Sequence, residues 1–230
     1  AMSMEMGAPI SMARDAHADS AVGHLQGFIE ALGQLQERES LTSGDIQLRE
    51  PIGVCGLITP WNWPMNQIAL KVIPALATGC TCVLKPSEHT PISAMIYAEI
   101  VHEAGFPAGV FNLVQGDGHT VGAAMSRHCD IQMMSFTGST RAGTAVTRDA
   151  ADTVKRVTLE LGGKSPNLVF ADCDLQDRVT ASVGDCMYNT GQSCDAPTRL
   201  PVERRCSDLA VEIAKRPAAA HVVGEHTYQG

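Results

Sequence analysis

The sequence predicts an α/β fold built on a mainly parallel sheet with flanking helices. Three observations carry that expectation. Short apolar runs such as residues 54–59 and 133–136 are wet on neither face, as strands of a doubly covered parallel sheet are. Segments of helical periodicity stand between them, and Gly, Pro, Ser and Thr punctuate the joints. Strands and helices that alternate in this way imply right-handed β-α-β crossovers.

Taken in order, Val22, Leu25, Phe28, Ile29, Leu32 and Leu35 recur at three- and four-residue steps and predict an amphipathic helix over residues 12–37. Thr42-Ser43-Gly44-Asp45 is turn chemistry, and residues 46–49 alternate like a strand with one wet face. Next come a strand at 54–59, a helix over 65–78 stopped by Gly79, and a strand at 81–84. Thr90 can cap a helix that Pro91 opens and Gly105 ends. Residues 110–114 and 133–136 are expected strands, with helices after Gly118 and Gly138. Strands at 156–161, 168–170 and near Leu200 follow, with a helix over 175–188 and a last helix from Asp208. Pro217 falls in that last helix, at a cost of about 3 kcal/mol if it lies inside.

Composition narrows the function classes. With 44% hydrophobic and 18% charged residues, the chain reads as globular and not disordered. Its net charge of -8 and the lack of any Lys/Arg run argue against nucleic acid or an anionic membrane as partner. No apolar stretch is long enough to span a bilayer and residues 1–10 lack a signal-peptide pattern, so the expectation is a cytoplasmic chain with no membrane contact. The eight cysteines form no paired framework. Seven are expected to act as small buried hydrophobes in a reducing compartment. The histidines do not combine with them at metal-ligand spacing, so no metal site is expected.

In open parallel sheets, ligands sit beyond the carboxyl ends of strands, so the loops there carry the chemistry. In Thr59-Pro60-Trp61-Asn62-Trp63-Pro64, Asn62 is a fixed amide that either holds a forming oxyanion or completes a turn. Lys85 and Glu88 of Lys85-Pro86-Ser87-Glu88 either grip ribose hydroxyls or are simply solvated. Gly138 and Ser139 of Phe136-Thr137-Gly138-Ser139-Thr140 open a helix, which suits either a pyrophosphate or an ordinary N-cap. The stretch from Gly116 to Gly122 imitates a dinucleotide fingerprint but has one residue too many before its last glycine, and is not taken as the phosphate site. Glu160, inside the apolar run Leu159-Glu160-Leu161, would be partly desolvated, which lifts a carboxyl pKa toward the range of a general base. Cys194, after Asn189-Thr190-Gly191-Gln192-Ser193, is a candidate nucleophile, although most cysteines are structural. These residues alone point to a nucleotide-binding α/β protein.

Together the Pro-Trp-Asn-Trp-Pro, Lys-Pro-Ser-Glu, Phe-Thr-Gly-Ser-Thr, Glu-Leu-Gly-Gly-Lys and Gly-Gln-Ser-Cys segments resemble the aldehyde dehydrogenase superfamily, in its order and at close to its spacing. The resemblance runs from about Glu5 to about Val223. It implies a Rossmann-like NAD(P)-binding domain at residues 1–37 and 53–161, oligomerisation-arm strands at 38–52, and a partial catalytic domain at 162–230. It also implies that an aldehyde is oxidised to an acid. Cys194 would attack the carbonyl, Asn62 and the Cys194 backbone N–H would hold the thiohemiacetal oxyanion, and Glu160 would activate water against the thioester. Lys85 and Glu88 would hold the adenosine ribose, Ser139 and Gly138 would meet the pyrophosphate, and Trp61 and Gly116 complete the cofactor contacts. The cofactor implied is NAD, with NADP as an alternative, and the partners implied are a small aldehyde and, as in the family's homodimers and homotetramers, further copies of the chain.

The resemblance also sets expectations by what it does not match. Family members are about twice as long, and a Glu-x-Phe-Gly-Pro segment that holds the nicotinamide ribose has no counterpart here. The last oligomerisation strand is absent too, and His221 to Gly230 departs from the family pattern. A truncated member with impaired turnover is therefore expected. The competing classes are a catalytically inactive nucleotide-binding fragment and a different thiol enzyme. The second would need a histidine paired with Cys194, and no segment singles one out.

Overall fold

The computed structural model describes residues 1–225. The chain divides into two units, Ala1–Gly7 with Ser11–Leu161, and Ala8–Ile10 with Gly162–Gly230. His226 to Gly230, the end of the divergent tail, lie outside the described residues.

The first unit opens with α1 (Met2–Met6) and a continuous helical run. That run passes from α2 (Ile10–Met12) through a π-helical turn (Ala13–Ala18) into α3 (Asp19–Gln34). The periodicity of α3 is as read from the sequence, but its apolar stripe is open: Val22, Leu25, Ile29 and Leu32 are all exposed. β1 (Arg38–Ser40) and β2 (Ile46–Leu48) follow as a short antiparallel pair, mostly exposed.

The sheet itself begins at β3 (Val54–Ile58). It continues through α4 (Pro64–Ala77), β4 (Thr81–Lys85), α5 (Pro91–Glu103) and β5 (Phe111–Leu113). A π-helical turn (Gly118–Gly122) and α6 (Ala123–Arg127) lead to β6 (Met133–Gly138), α7 (Thr140–Ala150) and β7 (Arg156–Leu161). All five strands are parallel, in the order β5-β4-β3-β6-β7. β3 is therefore central, and the chain builds outward from it first on one side and then on the other. Alternate side chains feed two cores. Cys55, Leu57 and Leu84 pack with Ile68 and Val72 of α4 on one face, and Ile58, Met134 and Phe136 pack with Val146 of α7 on the other.

Gly79 ends α4 at φ 78°, where the Gly79 N–H reaches the Leu76 carbonyl and the Cys80 N–H reaches that of Ala75. The start of α5 differs from expectation. Thr90 makes no side-chain capping bond. Its place is taken by Glu5, whose carboxylate accepts from the N–H groups of Ile92 and Ser93 and from Ser93 Oγ. An anionic acceptor offers the first turn more than a threonine hydroxyl does, because the helix end carries positive partial charge.

The second unit holds α8 (Leu175–Gly191) and α9 (Ser207–Ala220) over a small core of Val169, Val179 and Ala210. The strands expected at 168–170 and near Leu200 are reduced to two parallel bridges, Pro166 with Arg199 and Val169 with Val202. The Val169 N–H donates to the Pro201 carbonyl and the Glu203 N–H to that of Val169, but Pro201 has no N–H to donate in between, so the two bridges do not join into a continuous ladder. Helix α9 does contain Pro217 and ends three residues later at Ala220.

Candidate active site

Every candidate residue of the first unit lies at or just beyond the carboxyl end of a sheet strand. Asn62 sits in the loop from β3 to α4, half-buried between Trp61 and Trp63. Trp61 is exposed, whereas Trp63 stacks on His17 of the π-helical turn at 4.1 Å between ring centroids.

Lys85 is the last residue of β4 and is only 2% exposed. Its Nζ donates to the Pro86 carbonyl at 2.8 Å and lies 3.5 Å from Glu88 Oε2. The Glu88 carboxyl is half-exposed, and its own backbone N–H, then Lys85, hold it below the usual carboxylate range. Gly138 closes β6, where a Cβ would fall 2.6 Å from Phe136 Cζ. Ser139 Oγ accepts from the Ala142 N–H, so Ser139 is an N-cap of α7 in this chain. Gly116 has φ 146°, and a Cβ there would meet Val121 Cγ2 at 2.4 Å.

Glu160 lies at the carboxyl end of β7, at the sheet's edge, and is exposed. The partial desolvation read from its apolar neighbours does not hold. Leu159 and Leu161 turn toward the core shared with Val146, and the alternation of a strand sends Glu160 to the other face.

Two features test whether a dinucleotide fits. A cavity of about 500 Å³ lies between the Gly118–Arg127 segment and α7, with Ile58 and Phe136 at its base. Gly122 borders it with Lys85 close by: a Cβ on Gly122 would come within 4.0 Å of Lys85 Cδ. Beside Gly138, Thr137 Oγ1 is buried and has no hydrogen-bond partner. An orphaned hydroxyl at the mouth of a parallel sheet fits a polar ligand group.

Sequence reasoning passed over Lys71. It projects from α4, 8% exposed, and its Nζ donates to Ser135 Oγ of β6 at 2.7 Å. Burial lowers its pKa to about 8, and the Glu160 carboxylate pulls the other way. The signal was present in the pattern: positions 68, 71, 72 and 75 form the buried stripe of α4, and one of them is lysine.

In the second unit Cys194 occupies an exposed loop after α8. Its carbonyl accepts from the Gly163 N–H at 3.2 Å, which ties the Gly162-Gly163 segment to the cysteine loop. The approach to the loop is strained. Asn189 and Thr190 have φ 52° and 56°, and Gly191 continues at φ 71°. A β-branched residue in this region is an outlier.

The other cysteines are more varied than expected. Cys55, Cys80 and Cys82 are buried, Cys173, Cys186 and Cys206 are half-buried, and Cys129 is exposed. Burial pushes the thiols of Cys55 and Cys82 up to about 12. Among the described residues, His128, Cys129 and Asp130 form the one cluster with metal-ligating atoms, on an exposed turn before β6. It stands at the amino end of that strand, away from the loops above, and His128 Nδ1 already accepts from the Asp130 N–H. No helix among the described residues is long and apolar enough to cross a membrane.

Over residues 1–229 the sequence matches the aldehyde dehydrogenase family. The chain belongs to that family. A 3-succinoylsemialdehyde-pyridine dehydrogenase from a Pseudomonas species is 51% identical over 226 residues, covering 98% of this chain and 47% of the relative. An aldehyde dehydrogenase structure from Bartonella henselae superposes with a TM-score of 0.97 at 52% identity, covering 100% of this chain and 48% of that one. Aldehyde dehydrogenase C of Pseudomonas syringae, a Cys-to-Ala mutant in complex with NAD+ and octanal, gives a TM-score of 0.95 at 50% identity. That match covers 98% of this chain and 46% of the other. The chain thus spans about half the length of the aldehyde dehydrogenases it matches.

Proposed function

We propose that the chain carries the thiol and nucleotide-binding chemistry of an aldehyde dehydrogenase, with Cys194 as nucleophile. The observation that carries this reading is the convergence of Asn62, Lys85, Glu88, Gly138, Ser139 and Glu160 on the carboxyl ends of β3, β4, β6 and β7. An open α/β sheet uses that edge for nucleotides.

In this reading the Cys194 thiol gives its proton to solvent, Sγ forms a bond to the aldehyde carbon, and the carbonyl oxygen becomes an oxyanion. The Asn62 amide and the Cys194 backbone N–H donate to that oxygen. NAD, when bound, supplies the acceptor for the hydride that leaves the same carbon. Glu160 takes a proton from water, the water oxygen adds to the resulting thioester, and the C–S bond breaks to free the acid and the thiol. Lys85 and Glu88 hold the adenosine ribose, with the Glu88 carboxylate favouring a free 2′-hydroxyl over the phosphate of NADP. Ser139, Gly138 and the amino end of α7 receive the pyrophosphate. Trp61 and Gly116 border the same cofactor, and Thr137 Oγ1 offers it one more polar contact.

The test is purified chain with NAD and a panel of aldehydes, followed by NADH absorbance and by mass spectrometry of Cys194. An acyl adduct on Cys194 that is lost in Cys194→Ala supports the reading. NAD binding by calorimetry with no adduct from any aldehyde or activated ester would sink it and leave a nucleotide-binding fragment.

A further inference from the structure

We infer that His17 is a positioning residue for the oxyanion donor Asn62, acting through the ring it stacks on, Trp63. The inference rests on the functional reading above.

The loop that carries Asn62 is short and stiff, bounded by Pro60 and Pro64. At one end the Thr59 N–H donates to the Lys85 carbonyl, and at the other the Trp63 carbonyl accepts from the Gln67 N–H. Between those anchors the indole of Trp63, the residue next to Asn62, offers a large surface by which the loop can be held. His17 covers that indole with its rings 4.1 Å apart and 19° from parallel. His17 is fully buried, although histidine is typically only intermediate in burial.

The backbone is bent to put it there. His17 lies in the π-helical turn Ala13–Ala18, set between the α-helical turns of α2 and α3. A π-helical turn widens the helix and re-aims one side chain, and such turns concentrate at functional sites. Ser20 Oγ donates to the His17 carbonyl at 2.9 Å and supports it within the widened turn. A second contact runs along the same seam, about two turns further along the first helical run and one turn into α4, where His24 Nε2 and Asn66 Nδ2 are 2.9 Å apart. The first helical run therefore grips the start of α4 at two points, and the nearer one abuts Asn62. An oxyanion donor needs placement to within about half an ångström, and misplacement by about 1 Å costs on the order of a hundredfold in rate.

The experiment follows acylation of Cys194 by p-nitrophenyl acetate in the full chain. In that reaction sulfur bonds to the ester carbon, p-nitrophenolate leaves, and the same oxyanion must be held without NAD. Asn62→Ala is expected to slow acylation. His17→Ala is expected to slow it about tenfold at little changed KM, to redden Trp63 emission, and to add nothing in the Asn62→Ala background. His17→Phe, which keeps a flat ring, restores most of the rate. His17→Ala at the wild-type rate, or slowing the Asn62→Ala variant by its full factor, overturns the inference. If Asn62→Ala itself acylates normally, the oxyanion assignment has failed and the role of His17 falls with it. Should His17→Ala not fold, comparing His17→Phe with His17→Leu decides the matter: equal rates refute the ring contact.

Discussion

Replacing Lys71 with methionine isolates one buried charge and predicts a pH-dependent change in stability. Burial under α4 lowers the Lys71 pKa from 10.5 to about 8. At about 1.4 kcal/mol per unit, protonated Lys71 costs the folded state about 3 kcal/mol. The sign follows from proton counts. Between pH 8 and 10.5 the unfolded chain binds the proton that the folded chain has released, so unfolding free energy rises with pH. Below pH 8 the whole cost stands, and above about pH 10.5 it is gone. Methionine has nearly the same reach and no charge, but it forfeits the hydrogen bond to Ser135, worth about 1–2 kcal/mol. Lys71→Met should therefore be about 1–2 kcal/mol more stable than wild type at pH 7 and lose that advantage by pH 10. Urea unfolding followed by Trp61 and Trp63 fluorescence at pH 7, 8, 9 and 10 measures this, and subtracting the two curves removes cysteine titrations common to both. Parallel curves across that range would refute the buried-charge account. Glu160→Gln removes the carboxylate that opposes the shift and should move the wild-type rise to lower pH.

Three further outcomes can be checked on the same material. Glu5→Gln weakens the anionic cap on α5 and should cost about 1 kcal/mol in urea unfolding, although residue 5 is remote in sequence from the helix it caps. Ser139→Ala removes the bond to the Ala142 N–H and should cost about 1 kcal/mol. If calorimetry shows NAD affinity unchanged in that variant, Ser139 is a cap and no more. Thr190→Gly relieves a β-branched residue at φ 56° and should raise thermal stability by up to about 1 kcal/mol; a loss instead would mean that the strained turn is held by contacts of the threonine side chain.

The local rules served the sheet well. Apolar runs of the right length marked β3, β4 and β6, the continuing rhythm marked β7, Gly79 marked the end of α4, and Ser139 marked the start of α7, because each depends on residues a few positions apart. What escaped depends on distance or on facing. Glu5 replaces Thr90 as the cap of α5 from the far end of the domain, which no window over residues 85–105 reveals. Glu160 was misjudged because its apolar neighbours were read along the chain, whereas a strand sends them to the opposite face. The strand expected at 168–170 is interrupted because Pro201, on the facing segment, leaves a gap between the two bridges. The candidate site was expected from a set of ordered motifs, whereas the buried Lys71 and the stacked His17 look in the sequence like ordinary helix residues.

The central position of β3 bears on how the first unit folds. Its bonds to β4 close over one helix, but those to β6 pair Cys55 with Met133 across about half of the unit's length. Long closures are entropically costly and come late, so β3-α4-β4 and β6-α7-β7 can each begin to form as a local pair before they meet. Asn62 and Lys85 belong to the first pair, and Ser139 and Glu160 to the second. The seam between β3 and β6 is then both the last joint to close and the one that brings the two sets of strand-end residues to a common edge. Amide exchange across that seam should report the formation of the cavity that Ile58 and Phe136 line.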